Sequence, residues 1–155
     1  MIVAVIGSGD CTAEEAAAAE AVGRLLAEAG AVLVCGGRGG VMAAACRGAK
    51  SAGGLTIGIL PGVDASEANP WVDVPIVTGL GEARNAIVVR SADAVIAVGG
   101  GYGTLSEIAF ALKWGRRVVG LGTWELAGDG RPDGGILRVE RPEEAVKLAL
   151  GIGDQ

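Results

Sequence analysis

The sequence predicts an α/β fold, a Rossmann-like three-layer sandwich with a mainly parallel sheet. Short apolar runs of strand length alternate along the chain with alanine-rich segments of helical periodicity. Glycine-rich loops join the ends of several predicted strands to the helices that follow. Aromatic residues make up only 3% of the chain. Such a composition favours small helices packed closely on a sheet over a β-sandwich built on large side chains.

The first half of the chain repeats a pattern of strand, glycine loop and helix. The apolar run Ile2 to Ile6 ends in Gly7-Ser8-Gly9, which predicts a strand followed by a tight loop. Thr12 and Glu15 have the spacing of a capping box that opens a helix, and Gly30 is placed to end that helix. The pattern then predicts a strand at Ala31 to Cys35, a loop at Gly36 to Gly40, a helix at Val41 to Ala52 and a strand at Leu55 to Leu60.

The second half repeats this rhythm after a polar segment. The proline-containing stretch from Pro61 to Thr78 predicts a loop over the sheet that ends in a short strand, rather than a domain linker. Gly122 to Gly135 is rich in Gly, Asp and Pro and predicts a mobile loop. Residues 1–155 are therefore expected to form one nucleotide-binding domain. The other predicted elements are helices at Glu82 to Arg90, Leu105 to Trp114 and Pro142 to Leu150, and strands at Ala94 to Val98, Arg117 to Leu121 and Ile136 to Val139.

Charge and hydropathy exclude several classes of partner. The formal net charge is -5 and Lys and Arg are not clustered, so the chain lacks the basic surface that nucleic acids require. We therefore expect no nucleic-acid partner. The chain begins without a basic leader and contains no apolar run of transmembrane length, so we expect a cytoplasmic protein without membrane contact.

The types of reactive side chain in the sequence argue against histidine-dependent catalysis, metal binding and disulfide bonds. The chain has no histidine, which removes Ser-His-Asp and Cys-His catalysis and the commonest metal ligand. Cys11, Cys35 and Cys46 are odd in number and show no C-x-x-C spacing, so they are interpreted as reduced core residues. We expect no metal site and no required cofactor. Any chemistry would use Asp, Glu, Arg, Lys, Tyr or backbone groups.

The glycine loops predict an anion site. Because crossovers between parallel strands are right-handed, the loops at 7–9, 36–40 and 99–104 should converge at one edge of the sheet. Glycine lets backbone N–H groups approach an anion, and a helix N-terminus favours negative charge, so a phosphate is the expected occupant. The alternative, that these glycines only form tight turns, stays open. The candidate ligand-binding residues are Gly7, Ser8, Gly9, Gly37, Arg38, Gly39, Gly100, Gly101, Tyr102, Gly103 and Thr104.

Two common nucleotide-binding motifs are absent from the sequence. There is no complete G-x-G-x-x-G and no acidic residue that closes the second predicted strand. There is also no G-x-x-x-x-G-K-[ST]. NAD-dependent dehydrogenases and P-loop NTPases are therefore disfavoured.

The segment Gly99 to Glu107, which reads GGGYGTLSE, resembles the P-G-G-x-G-T-x-x-E signature of the lysine-decarboxylase-like, or LOG, superfamily. Gly36 to Met42 is similar to that superfamily's G-G-G-x-x-G-L-M segment. Arg84 and Asn85 lie where the superfamily has an Arg-Lys pair on a helix. The resemblance spans Ile2 to Leu121, most of the chain.

Two residues depart from the superfamily pattern. Gly99 stands in place of the signature's proline, and Asn85 stands in place of the lysine. In both respects the chain looks closer to the branch that contains the molybdenum cofactor carrier protein than to the cytokinin-activating LOG enzymes. That branch implies a homodimer or homotetramer that holds a phosphorylated small molecule, either the molybdenum cofactor or a nucleotide monophosphate.

The LOG enzymes imply a different activity, hydrolysis of the N-glycosidic bond of a nucleoside 5'-monophosphate, with Arg84 and Glu107 as the catalytic residues. In that case Glu107 would handle a proton or stabilise charge on the ribose, and Arg84 would orient the substrate. Both residues also have ordinary structural interpretations. Thr104 and Glu107 have the spacing of a capping box, in which Glu107 accepts a hydrogen bond from the Thr104 N–H, and Arg84 would be a surface or ion-paired arginine.

Three hypotheses about function follow from these observations. The first is a binding or carrier protein for a phosphorylated nucleotide-like ligand, the second a LOG-type phosphoribohydrolase, and the third a structural scaffold without a ligand. We rank them in this order because the glycine loops argue directly for an anion. Catalysis depends on two residues in a motif that has changed around them.

Overall fold

The computed structural model describes residues 1–153, which form five α-helices, nine β-strands and two short 3-10 turns. The α/β alternation predicted from the sequence is confirmed. The elements in chain order are β1 (Ile2–Gly7), α1 (Ala13–Glu28), β2 (Val32–Cys35), α2 (Val41–Ser51), β3 (Thr56–Leu60), β4 (Val74–Val77), α3 (Arg84–Arg90), β5 (Ala94–Val98), α4 (Tyr102–Lys113), β6 (Arg117–Leu121), β7 (Leu126–Gly128), β8 (Arg131–Asp133), β9 (Ile136–Val139) and α5 (Pro142–Ala149).

Seven strands form one parallel sheet in the order β4-β3-β2-β1-β5-β6-β9. Chain order runs outward in one direction from β1 to β4 and in the other from β5 to β9, so it reverses between β1 and β5. These two central strands pair in register, from Val3 opposite Ala94 to Gly7 opposite Val98. A reversal of this kind opens a crevice at the carboxyl ends of the two strands, where ligands of open α/β sheets bind.

The side chains of β1 alternate between the two helical layers. Val3 and Val5 pack in a core with α1, α2 and α5, whereas Ala4 and Ile6 pack in a second core with α3 and α4. All four side chains are buried. A central strand of a parallel sheet is covered on both faces, which is why this segment is a continuous apolar run. The expected three-layer sandwich is confirmed. None of the helices within residues 1–153 has the length and apolar character needed to cross a bilayer.

The first helix begins and ends where the sequence predicts. The Glu15 N–H donates to Thr12 Oγ1 over 3.1 Å, and the Thr12 hydroxyl donates to the Glu15 carboxylate over 3.2 Å. Gly30 adopts a positive φ of 77° just beyond the helix. An L side chain rarely adopts this conformation, so glycine is the expected residue there.

The region from Gly122 to Gly135 differs from its prediction as a loop, because β7 and β8 form an antiparallel hairpin within it. Asp129 and Gly130 join the two strands, and both have a positive φ. This is the two-residue Asp-Gly connection that suits the twist of a hairpin. The sequence contains that dipeptide, but each strand has only three residues and no alternating apolar pattern.

Two glycines bring α1 and α2 into direct backbone contact. A Cβ atom built on Gly23 would overlap the carbonyl group of Ala45, and one built on Gly48 would overlap the carbonyl group of Glu20. Each helix therefore presents a flat surface to the backbone of the other. The close approach explains why glycine is kept in the middle of two helices despite its low helix propensity.

We predict that Gly23→Ala destabilises the protein, although alanine is the better helix former by about 1 kcal/mol. The added methyl group must separate the two helices, and overpacking of this kind costs about 1–3 kcal/mol. Urea unfolding measures the effect. The control is Ala17→Gly at an exposed position of α1, which reports the propensity difference alone. An increase in the free energy of unfolding of Gly23→Ala would contradict the packing argument.

Candidate functional site

A cavity of about 300 Å³ opens in the crevice between β1 and β5. The loop after β1, the end of β2, the start of α3 and the first turns of α4 meet at this cavity. Its volume is at the lower end of the range for small-molecule sites. The residues that line it are Ile6, Gly7, Ser8, Gly9, Gly36, Met42, Arg84, Asn85, Gly101, Tyr102, Gly103, Thr104 and Glu107.

Close backbone packing forms the floor of the cavity. A Cβ atom on Gly7 would lie 2.6 Å from the carbonyl oxygen of Val98, and one on Gly40 would overlap the carbonyl oxygen of Ser8. The Val41 N–H donates to the Ser8 carbonyl over 3.0 Å. The N-terminus of α2 is therefore bound to the loop after β1. Gly7 and Gly40 are needed for this packing, whether or not they also contact a ligand.

The loop between β5 and α4 turns through two left-handed glycines. Gly99 has a φ of 55° and Gly100 a φ of 108°. Proline fixes φ near -65°, so it cannot adopt the conformation of Gly99. A Cβ atom on Gly99 would also overlap the Glu15 carboxylate. The departure from the superfamily's proline therefore has a structural consequence, because this chain takes a turn that proline forbids.

The start of α4 corrects a prediction from the sequence. The helix begins at Tyr102 with Gly101 as its N-cap, not at Leu105. Thr104 therefore lies inside the first turn, where its side chain packs against Gly100. The alternative interpretation, a capping box between Thr104 and Glu107, is therefore wrong, because Glu107 lies in the second turn of a helix that begins at Tyr102.

The N-terminus of α4 has free hydrogen-bond donors. Gly101 has no side chain, and within residues 1–153 no side chain caps the helix. The first N–H groups of a helix have no intrahelical partner. Tyr102, Gly103 and Thr104 supply these groups and line the cavity. The helix dipole adds about half a positive charge at this end, so the arrangement suits an anion.

Two side chains from outside the cavity hold the carbonyl groups of the same loop. The Thr123 hydroxyl donates to the Gly99 carbonyl over 2.6 Å, and the Trp124 indole N–H donates to the Gly101 carbonyl over 3.0 Å. Both donors follow β6. These bonds restrain the loop from its far side and leave the first-turn N–H groups of α4 unused.

Among residues 1–153, Arg84 is the single cationic side chain that lines the cavity. Its Nε donates to the Ile59 carbonyl over 2.9 Å, one terminal nitrogen donates to Gly36 over 3.4 Å, and the other to the Asn85 side-chain oxygen. A guanidinium has five N–H donors, so these three bonds fix its orientation without exhausting it. Partial burial lowers the pKa of Arg84, which stays charged at neutral pH.

Asn85 connects Arg84 to α4. Its side-chain nitrogen donates to the Ser106 hydroxyl over 3.2 Å, and that hydroxyl donates to the Gly103 carbonyl over 2.6 Å. Asn85 is buried. A neutral amide thus stands where the superfamily has a lysine, and it both accepts and donates within one network. The sequence marked Asn85 as a departure but did not identify it as a residue of the cavity.

Glu107 brings a buried carboxyl group to the cavity. Burial raises its pKa to about 8, and the nearby positive charge of Arg84 opposes this shift. The guanidinium acts through space, since its hydrogen bonds go to carbonyl and amide oxygens. At pH 7 the carboxyl group is therefore mostly protonated and neutral, and it can donate a hydrogen bond.

Four predicted ligand-binding residues lie away from the cavity lining. After Gly36 the chain turns away from the crevice, so Gly37 packs against Gly58 and Arg38 forms an exposed ion pair with Glu67 over 3.4 Å. A Cβ atom built on Gly39 would lie 3.6 Å from the Gly9 carbonyl oxygen, and one built on Gly100 would overlap the Thr104 side chain. The prediction from the sequence missed Ile6, Gly36, Met42 and Asn85. Ile6 and Gly36 adjoin the glycine loops that were identified.

Comparison with known proteins gives the family. The family model for the SLOG cluster4 family matches residues 1–146. The chain belongs to the SLOG cluster4 family. Among sequence relatives, this member is 48% identical to a protein of Archaeoglobus fulgidus over 150 residues, 97% of this chain and 95% of that protein. It is 38% identical to the cytokinin riboside 5'-monophosphate phosphoribohydrolase LOG of Oryza sativa subsp. japonica over 101 residues, 63% of this chain and 41% of that protein.

Solved structures resemble this family member over nearly its whole length. The molybdenum cofactor binding protein of Rippkaea orientalis is 40% identical with a TM-score of 0.88, over 97% of this chain and 96% of that one. The molybdenum cofactor carrier protein of Chlamydomonas reinhardtii is 40% identical with a TM-score of 0.82, over 97% and 98% of the two chains. The predicted membership of the LOG-like superfamily, near its molybdenum cofactor carrier branch, is confirmed.

The raised pKa of Glu107 predicts a pH-dependent difference in stability between the wild type and Glu107→Gln. The unfolded carboxyl group loses its proton near the ordinary value of 4.5, whereas the folded one keeps its proton up to about pH 8. Between these values folding takes up a proton, so wild-type stability falls as the pH rises, by up to about 1.4 kcal/mol per pH unit.

Glu107→Gln has no carboxyl group to ionise at this position and should lose this dependence. Chemical unfolding of both proteins at pH 5, 6, 7 and 8 measures the difference, in which titrations at other positions cancel. The free energy of unfolding of Glu107→Gln, relative to that of the wild type, should increase with each increase in pH. A constant difference across this window would show that the pKa of Glu107 is not raised.

Proposed function

We propose that this protein is a carrier that binds a phosphorylated, nucleotide-like ligand in the cavity between β1 and β5, with the molybdenum cofactor as the leading candidate. The observation that carries the proposal is the uncapped N-terminus of α4, which lies in the same cavity as Arg84. The similarity to two molybdenum cofactor binding and carrier proteins, at 40% identity over nearly the whole chain, supports the choice of ligand.

The charges around the cavity favour an anion. Arg84 supplies a full positive charge and the end of α4 a partial one. Glu107 would oppose a phosphate if it were ionised, but burial raises its pKa to about 8 and so removes most of that repulsion at pH 7. A hydrogen bond to a charged group such as a phosphate contributes about 1.5–3 kcal/mol.

The residues of the cavity fit the phosphate end of such a ligand. In our proposal Gly103 and Thr104 donate backbone N–H groups to the phosphate, and Arg84 contributes its remaining guanidinium donors. Gly7, Ser8, Gly9 and Gly101 offer backbone that a ligand can approach closely. A cargo must also be released. Hydrogen bonds of these kinds are reversible, as a carrier requires.

We predict that Arg84→Ala weakens ligand binding about 10- to 100-fold, because it removes a charged donor from the phosphate. Native mass spectrometry of protein freshly purified from cells that make the molybdenum cofactor detects a bound mass in the wild type. Calorimetry with AMP provides an affinity. The control is Arg24→Ala, which removes an exposed arginine paired with Glu28 on α1. Equal occupancy in Arg84→Ala and the wild type would contradict the proposal.

A second candidate function is LOG-type hydrolysis of nucleoside 5'-monophosphates, and Glu107 is the observation that favours it. A carboxyl group that keeps its proton up to about pH 8 is suited to act as a general acid at neutral pH. The 38% identity to the rice phosphoribohydrolase over 101 residues gives this candidate independent support. The carrier proposal ranks first because the similarity to cofactor carriers extends over 97% of the chain.

The release of free base from a panel of nucleoside 5'-monophosphates separates the two functions. The carrier proposal predicts no release above background by the wild type. If the protein is a hydrolase, the wild type turns over and Glu107→Gln loses about 100-fold or more of that rate, because glutamine cannot transfer a proton. Thermal melting shows whether both proteins are folded. Steady wild-type turnover would reverse our ranking.

A further inference from the structure

Tyr102 is an exposed aromatic side chain at the edge of the cavity. It lines the cavity as the first residue of α4, and it is 82% exposed. The chain has three tryptophans, one tyrosine and one phenylalanine. Of these, Tyr102 is the one that lines the cavity. Trp71 lies under the Arg47 guanidinium, and Phe110 stacks on Trp114 farther along α4.

Trp124 restrains Tyr102 from outside the cavity. The two ring centroids are 5.6 Å apart with an interplanar angle of 33°. The Trp124 indole N–H is itself bonded to the Gly101 carbonyl, one residue before Tyr102. The tyrosine ring is therefore supported on one side by a residue that is tied to the same loop. A side chain restrained in this way loses less entropy when it binds a ligand than a free one does.

We propose that Tyr102 is the stacking surface for a planar heterocycle of the ligand, and that it selects phosphate esters with a flat ring, such as a purine or a pterin, over phosphates without one. This inference rests on the proposed phosphate site at the N-terminus of α4. Gly103 and Thr104, which follow Tyr102, carry the proposed phosphate donors. A ring joined to that phosphate by a short linker can therefore reach the tyrosine.

The size of the expected effect follows from the chemistry of stacking. Contact between a base and an aromatic side chain, removed by substitution with alanine, changes affinity by about 5- to 150-fold. The interaction needs the ring face and not the phenol oxygen. Tyr102→Phe should therefore retain the selectivity, and Tyr102→Ala should lose it. Alanine and phenylalanine are both compatible with position 102 in the first turn of a helix.

Two matched pairs of compounds test the proposal by calorimetry. AMP is compared with ribose 5-phosphate, and a 6-alkylpterin with a terminal phosphate is compared with glycerol 3-phosphate. The proteins are the wild type, Tyr102→Ala, Tyr102→Phe and the control Phe110→Ala, which removes an aromatic residue of α4 away from the cavity. Thermal melting checks that each is folded.

The wild type should bind the ring-bearing member of at least one pair fivefold or more tightly than its partner. Tyr102→Ala should abolish that preference while changing the affinity for the ring-free phosphate less than twofold. Tyr102→Phe and Phe110→Ala should keep it. A preference that survives in Tyr102→Ala, or no preference in the wild type, overturns this inference and leaves the phosphate site standing. Failure of the wild type to bind any of the four compounds overturns the phosphate site as well.

Discussion

The structure depends on close backbone packing where the strand order reverses between β1 and β5. Gly7 contacts the end of β5, and Gly40 packs on the loop after β1 so tightly that no side chain fits at either position. This contact ties the N-terminus of α2 to that loop through the Val41 N–H. The Val41 N–H at the start of α2 is therefore already bonded. Tyr102, Gly103 and Thr104, the first-turn residues of α4, line the cavity.

A single hydrogen-bond network links the remaining parts of the cavity. It runs from the Ile59 carbonyl at the end of β3 through Arg84 and Asn85 to Ser106 on α4, which bonds the Gly103 carbonyl. The partly buried guanidinium donates to neutral oxygens, and no carboxylate within residues 1–153 forms an ion pair with it. Its charge is therefore available to an anion.

The two departures from the LOG signature change the site in physically definable ways. Gly99 allows a left-handed turn that proline cannot make, and Asn85 replaces a cation with an amide that bridges Arg84 and α4. Glu107 is retained, with its carboxyl group neutral at pH 7 because it is buried. The combination reduces the number of charges at the cavity while it keeps the donors for a phosphate. A cavity with fewer charges and the same donors suits reversible binding. Glu107, which is the residue that a hydrolase would use, is still present.

The sequence by itself determined the α/β class, the superfamily and the order of the strands and helices outside the β7–β8 hairpin. Continuous apolar runs such as Ile2 to Ile6 and caps such as Thr12 are local patterns that persist in the fold. Only the tertiary structure decided where α4 begins, which glycines line the cavity and how Glu107 ionises. The loop before α4 accepts hydrogen bonds from Thr123 and Trp124, which follow a later strand. The pKa of Glu107 is raised by burial among several elements. These properties arise from contacts between residues far apart in the chain, which spacing within one segment does not encode.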